Sequence, residues 1–456
     1  MDVEVTSNSA VALVGFASVI ALLLFLIARV KWHVFAALLV PIVLLGFAPT
    51  IDRAAFVEAF EHGFGQTIQA IAVVIVLGTL IAEALRATGA VERITRSMFR
   101  LFGKKHVPLA LTFAGFIIGL AVFSDVGYVI LNPLVHVAAV EARASMALMA
   151  TGLVGALQLT HAIVPPTPGP LAAAAIVEAD LGTVIIWGTV VTLFGSFMGW
   201  VFAKMIGRRV HVAPSPEYGG TGGDGVGDPD RKLPPLSWSY APILVPILLI
   251  GIGSIADSTL EEGTALHSNL TFLGWPVLAL GVGVVIAYIL TWRTRSVESS
   301  EELRNGWVEN ALRASAMIIL VTGLGGALSQ LLSSTPAVDL IAEGTLDMGL
   351  PAILLPFVLG VLANMITGST TVAVITAASL VGPMLGGLGL SAEAAMLSGA
   401  CGSVVIKYVN ASYFWVCASL SGMPVRQALL CYGGVTLVGG VFSMVGVVTL
   451  WAIGVI

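Results

Sequence analysis

Apolar segments of span length recur along this chain, and they constrain its fold more than any other feature. A helix needs about 20 mostly apolar residues to cross a bilayer. Only 10% of the 456 residues are charged and 57% are hydrophobic, whereas soluble domains carry about a quarter charged residues. The sequence therefore predicts an all-α polytopic membrane protein. Its continuous candidate spans lie near 10–28, 33–49, 67–85, 183–205, 240–255, 274–292, 313–331 and 429–452.

The charges of successive loops predict which side of the membrane each loop faces. Lysine and arginine in short loops favour the cytoplasm, and the loop at 86–106 is basic. Acidic residues mark 52–61, 178–180, 257–262 and 339–347 as external. Basic and acidic loops alternate without conflict, so both termini are predicted outside. The basic residues form no continuous face, which excludes nucleic acid as a partner.

A connector at 212–237, rich in Gly, Pro and Asp, divides the chain almost in half. Equivalent loops of the two halves carry opposite charge, because 86–106 is basic whereas 332–350 holds three acids and no base. Such halves are inserted in opposite senses, an arrangement typical of secondary transporters. The predicted parts are a first inverted repeat at 1–205, a cytoplasmic linker at 206–238 and a second inverted repeat at 239–456.

Polar, Gly and Pro clusters interrupt two apolar tracts in each half. Non-helical backbone is tolerated at membrane depth only inside protein or beside a water-filled cavity. Each half is predicted to hold five spans, one of them broken, and a re-entrant helical hairpin. The hairpins are expected at about 107–140 and 350–387, with tips at 124–127 and 367–371, and the broken spans at about 145–177 and 391–422.

Two ionisable residues at these interruptions each have two readings. Asp125 lies in an apolar tract, which predicts either a desolvated proton carrier or an N-cap for the second hairpin leg. Lys407 either pairs with a substrate carboxylate or with Asp125, or extends to a membrane interface. Helix N-termini at the breaks favour an anionic group.

The other candidates are mostly hydroxyl and amide groups. His161 either binds substrate or protons, or is a buried neutral histidine bonded to backbone. The hydroxyls at 367–371 either bind a polyhydroxylated ligand or bond back to helix carbonyls, and Asn364 and Asn410 either bind or join helices. No metal or cofactor is expected. The predicted substrate-binding residues are Ser124, Asp125, His161, Thr167, Gly169, Thr367, Gly368, Ser369, Thr370, Thr371, Lys407, Asn410 and Ser412.

Four stretches at the interruptions resemble the gluconate permease family, within a superfamily of ion-coupled anion transporters. They are FSDVGYVILNPLV (123–135), HAIVPPTPGPLAAAAIVEADLG (161–182), ITGSTTVAVITAASLVGP (366–383) and VNASYFWVCASLSGM (409–423). The resemblance implies proton-coupled uptake of gluconate or a similar sugar acid across the bacterial inner membrane. It also implies a homodimer whose transport domain moves past a scaffold in an elevator mechanism.

The chain departs from the family pattern at two places. The family usually has His where this chain has Thr167, and Ser-His-Val-Asn-Asp-Ser-Gly where this chain has 407–413. A His and an Asp are thus absent and Lys407 is gained, which suits an anionic ligand or replaces a coupling cation.

The sequence therefore predicts a proton-coupled symporter of gluconate-like hydroxy acids. The alternatives are uptake of a dicarboxylate, citrate or a hydroxy amino acid, coupling to sodium, and a passive uniporter. An intramembrane enzyme is disfavoured because no HExxH motif occurs and no serine has an obvious histidine base.

Overall fold

A computed structural model provides the structure of the chain, and it is helical throughout the part it describes, with no strands. The described residues are 14–15, 18–19, 21–23, 25–26, 29–30, 32–47, 52–103, 106–215, 233–261, 263–293, 301–333, 351–408 and 411–456.

Several helices begin at polar residues that the sequence places between apolar segments. Asp52, Ser145, Asp180, Ser369 and Ser391 each cap a helix N-terminus by accepting a backbone N–H, as expected for these residue types. The helices are α1 (Val34–Leu45), α2 (Arg53–Thr88), α3 (Ala90–Phe102), α4 (Val107–Gly119), α5 (Ser124–Glu141), α6 (Met146–Ile163), α7 (Pro168–Ile176), α8 (Leu181–Ile206), α9 (Leu236–Thr259), α10 (Ala265–Gly274), α11 (Pro276–Arg293), α12 (Glu301–Ser333), α13 (Leu354–Thr367), α14 (Thr370–Val381), α15 (Leu385–Leu388), α16 (Ala392–Val405), α17 (Ser412–Leu420), α18 (Val425–Ala428) and α19 (Gly434–Ala452).

Eight helical segments of the described residues are long and apolar enough to cross a membrane. They are Arg53–Thr88, Met146–Ile176, Leu181–Ile206, Leu236–Asp257, Pro276–Arg293, Gly306–Leu328, Thr370–Leu388 and Val425–Ala452. In the most apolar 18-residue stretch of Met146–Ile176, 94% of the residues are buried within the protein, against 28% in Pro276–Arg293. The segment containing the proline cluster is therefore central, whereas α11 is peripheral.

Several predicted loops are helical. The acidic segment at 52–61 forms the first turns of α2, and the basic segment at 86–106 contains α3. One side of α3 is buried through Val91, Ile94 and Met98, while Arg100 is exposed. The hydropathy of a whole segment missed this helix because its apolar residues recur at helical spacing among charges.

Helix packing links the two halves crosswise. The first hairpin leg packs on the first part of the broken span in each half, as α4 on α6 and α13 on α16. The second leg packs on the broken span of its own half, as α5 on α6 and α14 on α16, and also on the other half, as α5 on α17 and α14 on α7. A separate pair, α2 and α12, packs together along its length, and α9 and α11 adjoin it.

Hydrogen bonds place the ends of the two broken segments, α6–α7 and α16–α17, on opposite sides of the helix bundle. At the end of α7, the backbone N–H of Asp180 donates to Oε1 of Glu393, at the start of α16, over 2.8 Å. At the end of α17, Ser421 shares a hydrogen bond with Tyr128, and the carbonyl of Leu420 bonds Nε2 of His136 at 2.9 Å. The segments α6–α7 and α16–α17 therefore run in opposite directions.

Candidate functional site

The first break lies between Ile163 and Pro168, where α6 ends and α7 begins. Prolines lack the N–H needed to continue a helix, so the chain turns here. The hydroxyl of Thr167 lies 2.8 Å from the carbonyl oxygen of His161 and 2.7 Å from that of Val164, and donates to this pair. Thr167 thus closes the turn, and only its lone pairs remain for a ligand.

His161 lies at the end of α6 with 6% of its surface exposed. Its Nδ1 is buried without a hydrogen-bond partner in the described part of the chain. The ring of Phe123, at the tip of the first hairpin, is 5.2 Å away between centroids. The prediction of a histidine satisfied by backbone is therefore wrong for Nδ1, which has no hydrogen-bond partner among the described residues.

The second break separates Val405 from Ser412 and contains Lys407. Lys407 is only 4% exposed. Its Nζ donates to Oγ1 of Thr370 at 2.6 Å and to the carbonyl of Gly368 at 3.4 Å. The prediction that Lys407 extends to an interface is wrong, because its ammonium is held inside at the second hairpin tip.

The tip of the second hairpin is built from local caps. Gly368 ends α13 with a φ of 70°, a left-handed conformation that glycine adopts without strain. Oγ1 of Thr367 bonds the backbone N–H and carbonyl of Ser369, and Oγ of Ser369 accepts from the N–H of Val372. The hydroxyls of Thr367 and Ser369 therefore bond to backbone groups, which is one of the two predicted alternatives.

Thr370 belongs to a buried network instead. Its Oγ1 accepts from Lys407 and from Nε2 of Gln158, the latter at 2.8 Å. The hydroxyl of Tyr432 donates to Oε1 of Gln158 at 3.3 Å. The network joins the second hairpin tip to α6 and to the start of the last span.

Close backbone contact brings the first break to the same tip. A Cβ added at Gly169 would lie 3.2 Å from Cα of Thr371, so glycine lets the two backbones approach closely without a tight contact. Both breaks and both tips therefore meet in one region. The site residues gathered there are Ser124, His161, Thr167, Gly169, Gly368, Thr370, Thr371 and Lys407.

Asp125 is neither desolvated nor the N-cap of the second hairpin leg, and its predicted proton-carrier role stays a prediction. Its side chain is exposed, and the N-cap of α5 is Phe123, so Asp125 lies in the first turn of the helix. One carboxylate oxygen accepts from the N–H of Val126 at 2.9 Å. Asp125 still interacts electrostatically with His161, as does Lys407. The predicted burial is wrong because the apolar neighbours of Asp125 in sequence lie on other faces of the helix.

Three further candidates remain, at the second break and near the second hairpin tip. Asn410 lies outside the described residues. Ser412 begins α17, and Asn364 is fully buried near the end of α13.

Gln158 and Tyr432 are functional candidates that the sequence reasoning missed. Gln158 is 2% exposed and lies three residues before His161, on the same side of α6. The sequence alone could have indicated Gln158, because a single amide side chain in an apolar span needs a hydrogen-bond partner in the membrane. The contact with Tyr432 joins residues 274 positions apart, which sequence spacing does not reveal.

A narrow cavity lies beside the first break, between it and α2. Thr79, Phe123, His161 and Thr167 are among the side chains that line it, and it has room for about one water.

The whole chain is similar to known permeases. Residues 11–456 match the family model described as GntP family permease. The chain is 29% identical to the gluconate permease of Pseudomonas aeruginosa over 429 residues, which cover 93% of this chain and 94% of that protein. It is 30% identical to the D-serine transporter DsdX of Escherichia coli over 430 residues, which cover 94% and 95%.

The fold is also similar to that of a solved transporter. The crystal structure of the Alcanivorax borkumensis YdaH transporter aligns with a TM-score of 0.50 and 17% sequence identity, over 92% of this chain and 97% of that one. At that identity the likeness concerns the fold alone. The family resemblance predicted from four stretches is confirmed by the match over residues 11–456. The protein belongs to the GntP permease family, and is a multi-pass membrane transporter rather than an enzyme.

Proposed function

We propose that this permease takes up gluconate or a related sugar acid together with a proton across the bacterial inner membrane. The observation that carries the proposal is Lys407, a buried cation whose acceptors are a hydroxyl and a carbonyl. In the described part of the chain its Nζ has no carboxylate within ion-pair distance. An ammonium has three N–H donors, so one remains for a carboxylate of the solute.

The relatives narrow the solute class. One is named a gluconate permease and another a D-serine transporter, and both solutes carry a carboxylate and hydroxyl. The polar groups around Lys407, including Gln158 and Thr370, suit hydroxyl recognition. A hydroxy amino acid is the second candidate because of the similarity to the D-serine transporter, with Asp125 available for the ammonium.

The movement we propose is an elevator step in a homodimer of chains with inverted repeats. The crosswise packing of α5 on α17 and of α14 on α7 supports an internal two-fold relation. The opposite directions of the two broken segments support inverted insertion. The hairpins and broken segments would move together past a scaffold containing α2 and α12.

Uptake driven by a pH gradient tests the proposed activity. In proteoliposomes with an alkaline interior, labelled gluconate is expected to accumulate about tenfold per unit of pH gradient for one proton per solute. Collapse of the gradient with a protonophore is the control. Equal uptake with and without the gradient points to a uniporter, and dependence on a sodium gradient instead points to sodium coupling.

The proposed orientation predicts which introduced cysteines are reached from outside. In intact cells, a membrane-impermeant maleimide is expected to label Glu261→Cys and to leave Arg100→Cys unlabelled until the cells are opened. Both positions are exposed, while the native Cys401, Cys417 and Cys431 are buried. The reverse pattern would overturn the assignment of both termini to the outside.

A further inference from the structure

We propose that arginines of α3 and α11 form a binding site for the phosphate headgroup of an anionic phospholipid at one surface of the membrane. The site lies where α3 meets the first turn of α9 and where α11 ends. It is separate from the two breaks, and it does not depend on which solute the permease carries.

The elements that form the site lie where membrane spans begin or end. The segments Arg53–Thr88, Leu236–Asp257 and Pro276–Arg293 are each long and apolar enough to cross a membrane. The helix α3 begins two residues after the first of these segments. The ends of such spans lie at the level of the lipid headgroups, so a headgroup is the nearest ligand that the membrane itself offers.

One stripe of α3 faces the start of α9. Oγ of Ser97 shares a hydrogen bond of 2.9 Å with the hydroxyl of Tyr240. Arg93 lies four residues before Ser97 and Arg100 lies three residues after it, and residues at these spacings share a helix face. The two arginines therefore flank the contact with α9, one turn away on either side.

The arginines of this stripe lack acidic partners in the described part of the chain. Neighbouring arginines are paired within their own helices, Arg86 with Glu83 and Arg96 with Glu92, each at 2.6 Å. Arg93 has no such pair, and its Nε is buried without a hydrogen-bond partner among the described residues. A buried N–H without an acceptor is unfavourable, and an anionic acceptor bound at this position removes that cost.

Arg293 adds a further guanidinium beside the same turn of α9. Its Cζ lies 4.7 Å from the centre of the Trp238 ring, and Trp238 lies two residues before Tyr240 on α9. A cation over an aromatic face is attracted to it, which holds Arg293 in place. The residue is exposed, so its N–H groups can reach a ligand.

A phosphodiester fits these donors well. Guanidinium groups bind phosphate oxygens through paired N–H···O bonds. Leu101 and Trp292, which adjoin Arg100 and Arg293 in sequence, are exposed apolar side chains that suit contact with acyl chains. Phosphatidylglycerol is anionic, whereas the ammonium of phosphatidylcholine cancels its phosphate. The site is therefore expected to distinguish these two lipids.

Lipid-induced thermal stabilisation of the purified wild-type permease tests the site. In dodecyl maltoside micelles, added dioleoylphosphatidylglycerol is expected to raise the unfolding temperature in a saturable manner. Dioleoylphosphatidylcholine and inorganic phosphate at the same concentration are expected not to do so. Equal stabilisation by phosphatidylcholine, or by inorganic phosphate alone, overturns the inference. This comparison needs no variant and no transport activity.

Two substitutions locate the site. Arg93→Gln and Arg293→Gln are each expected to weaken the affinity for dioleoylphosphatidylglycerol by about tenfold, the loss expected for one charge-assisted hydrogen bond. Arg426→Gln is the matched control, since Arg426 is also an exposed arginine but lies on α18. Wild-type affinity in Arg93→Gln, or an equal loss in all three variants, shows attraction to the overall charge instead of a site and overturns the inference.

Discussion

Replacing Lys407 by Met is expected to weaken gluconate binding by about 150- to 5000-fold, the largest effect at the site. Removing one partner of a buried ion pair costs about 3–5 kcal/mol, and the carboxylate would face Thr370 and Gly368 without a cation. Equilibrium binding of labelled gluconate to purified protein, together with ligand-induced thermal stabilisation, measures the loss.

The fold is expected to survive this substitution. In the structure the Lys407 ammonium has only neutral acceptors, so Met fills similar volume without leaving a buried carboxylate unpaired. Lys204→Met is the control, because Lys204 lies over the Trp200 ring on α8, away from the breaks. If Lys407→Met binds gluconate as tightly as wild type, Lys407 does not contact the solute.

Gly402→Val is expected to cause the largest loss of stability and to abolish transport. A Cβ at Gly402 would overlap the carbonyl of Phe357, and one at Gly360 would overlap that of Gly399. Small residues allow such close helix approach in membranes. Overpacking here costs about 1–3 kcal/mol, and it pushes α16 away from α13.

The functional loss follows from what these helices lead into. Gly368 is the residue after the end of α13. Lys407 lies two residues after the end of α16. Separating the helices pulls the ammonium from Thr370. Thermal unfolding in detergent and gluconate exchange measure both effects, with Gly386→Val as control because a Cβ there meets nothing within 4 Å. Equal unfolding temperatures for the two variants would contradict the packing argument.

The positions of the breaks follow from the sequence, but the directions of side chains do not. The prolines near Pro168 and the polar cluster at Thr367 predict where helices stop, and the structure has helix ends there. Lysine has a long flexible side chain, so the sequence alone left both an inward and an outward direction open for Lys407. The direction is set by Thr370, 37 residues away.

For Asp125, the sequence predicted a buried side chain and the structure has an exposed one. The apolar tract around it predicted burial, but Asp125 shares a helix face with Val129, which is 52% exposed. Mean hydropathy averages over the whole tract, so it does not distinguish the exposed face of the helix from its buried faces. Long helices such as α2 were also missed in part, because the charged first turns of a helix resemble a loop by composition.

Because helices of one half pack on helices of the other, each half of the chain supplies contacts that the other half needs. With α5 lying on α17 and α14 lying on α7, the second leg of the first hairpin lacks its distant partner until the second half has been synthesised and inserted. Until then, Gln158 and Gly169 lack the neighbours Thr370 and Thr371 that the second hairpin tip supplies, and unsatisfied polar groups in hydrocarbon are strongly unfavourable. Assembly of the binding site is thus the last event of membrane insertion, and quality control in the cell would act on nascent chains at the stage before the second half arrives.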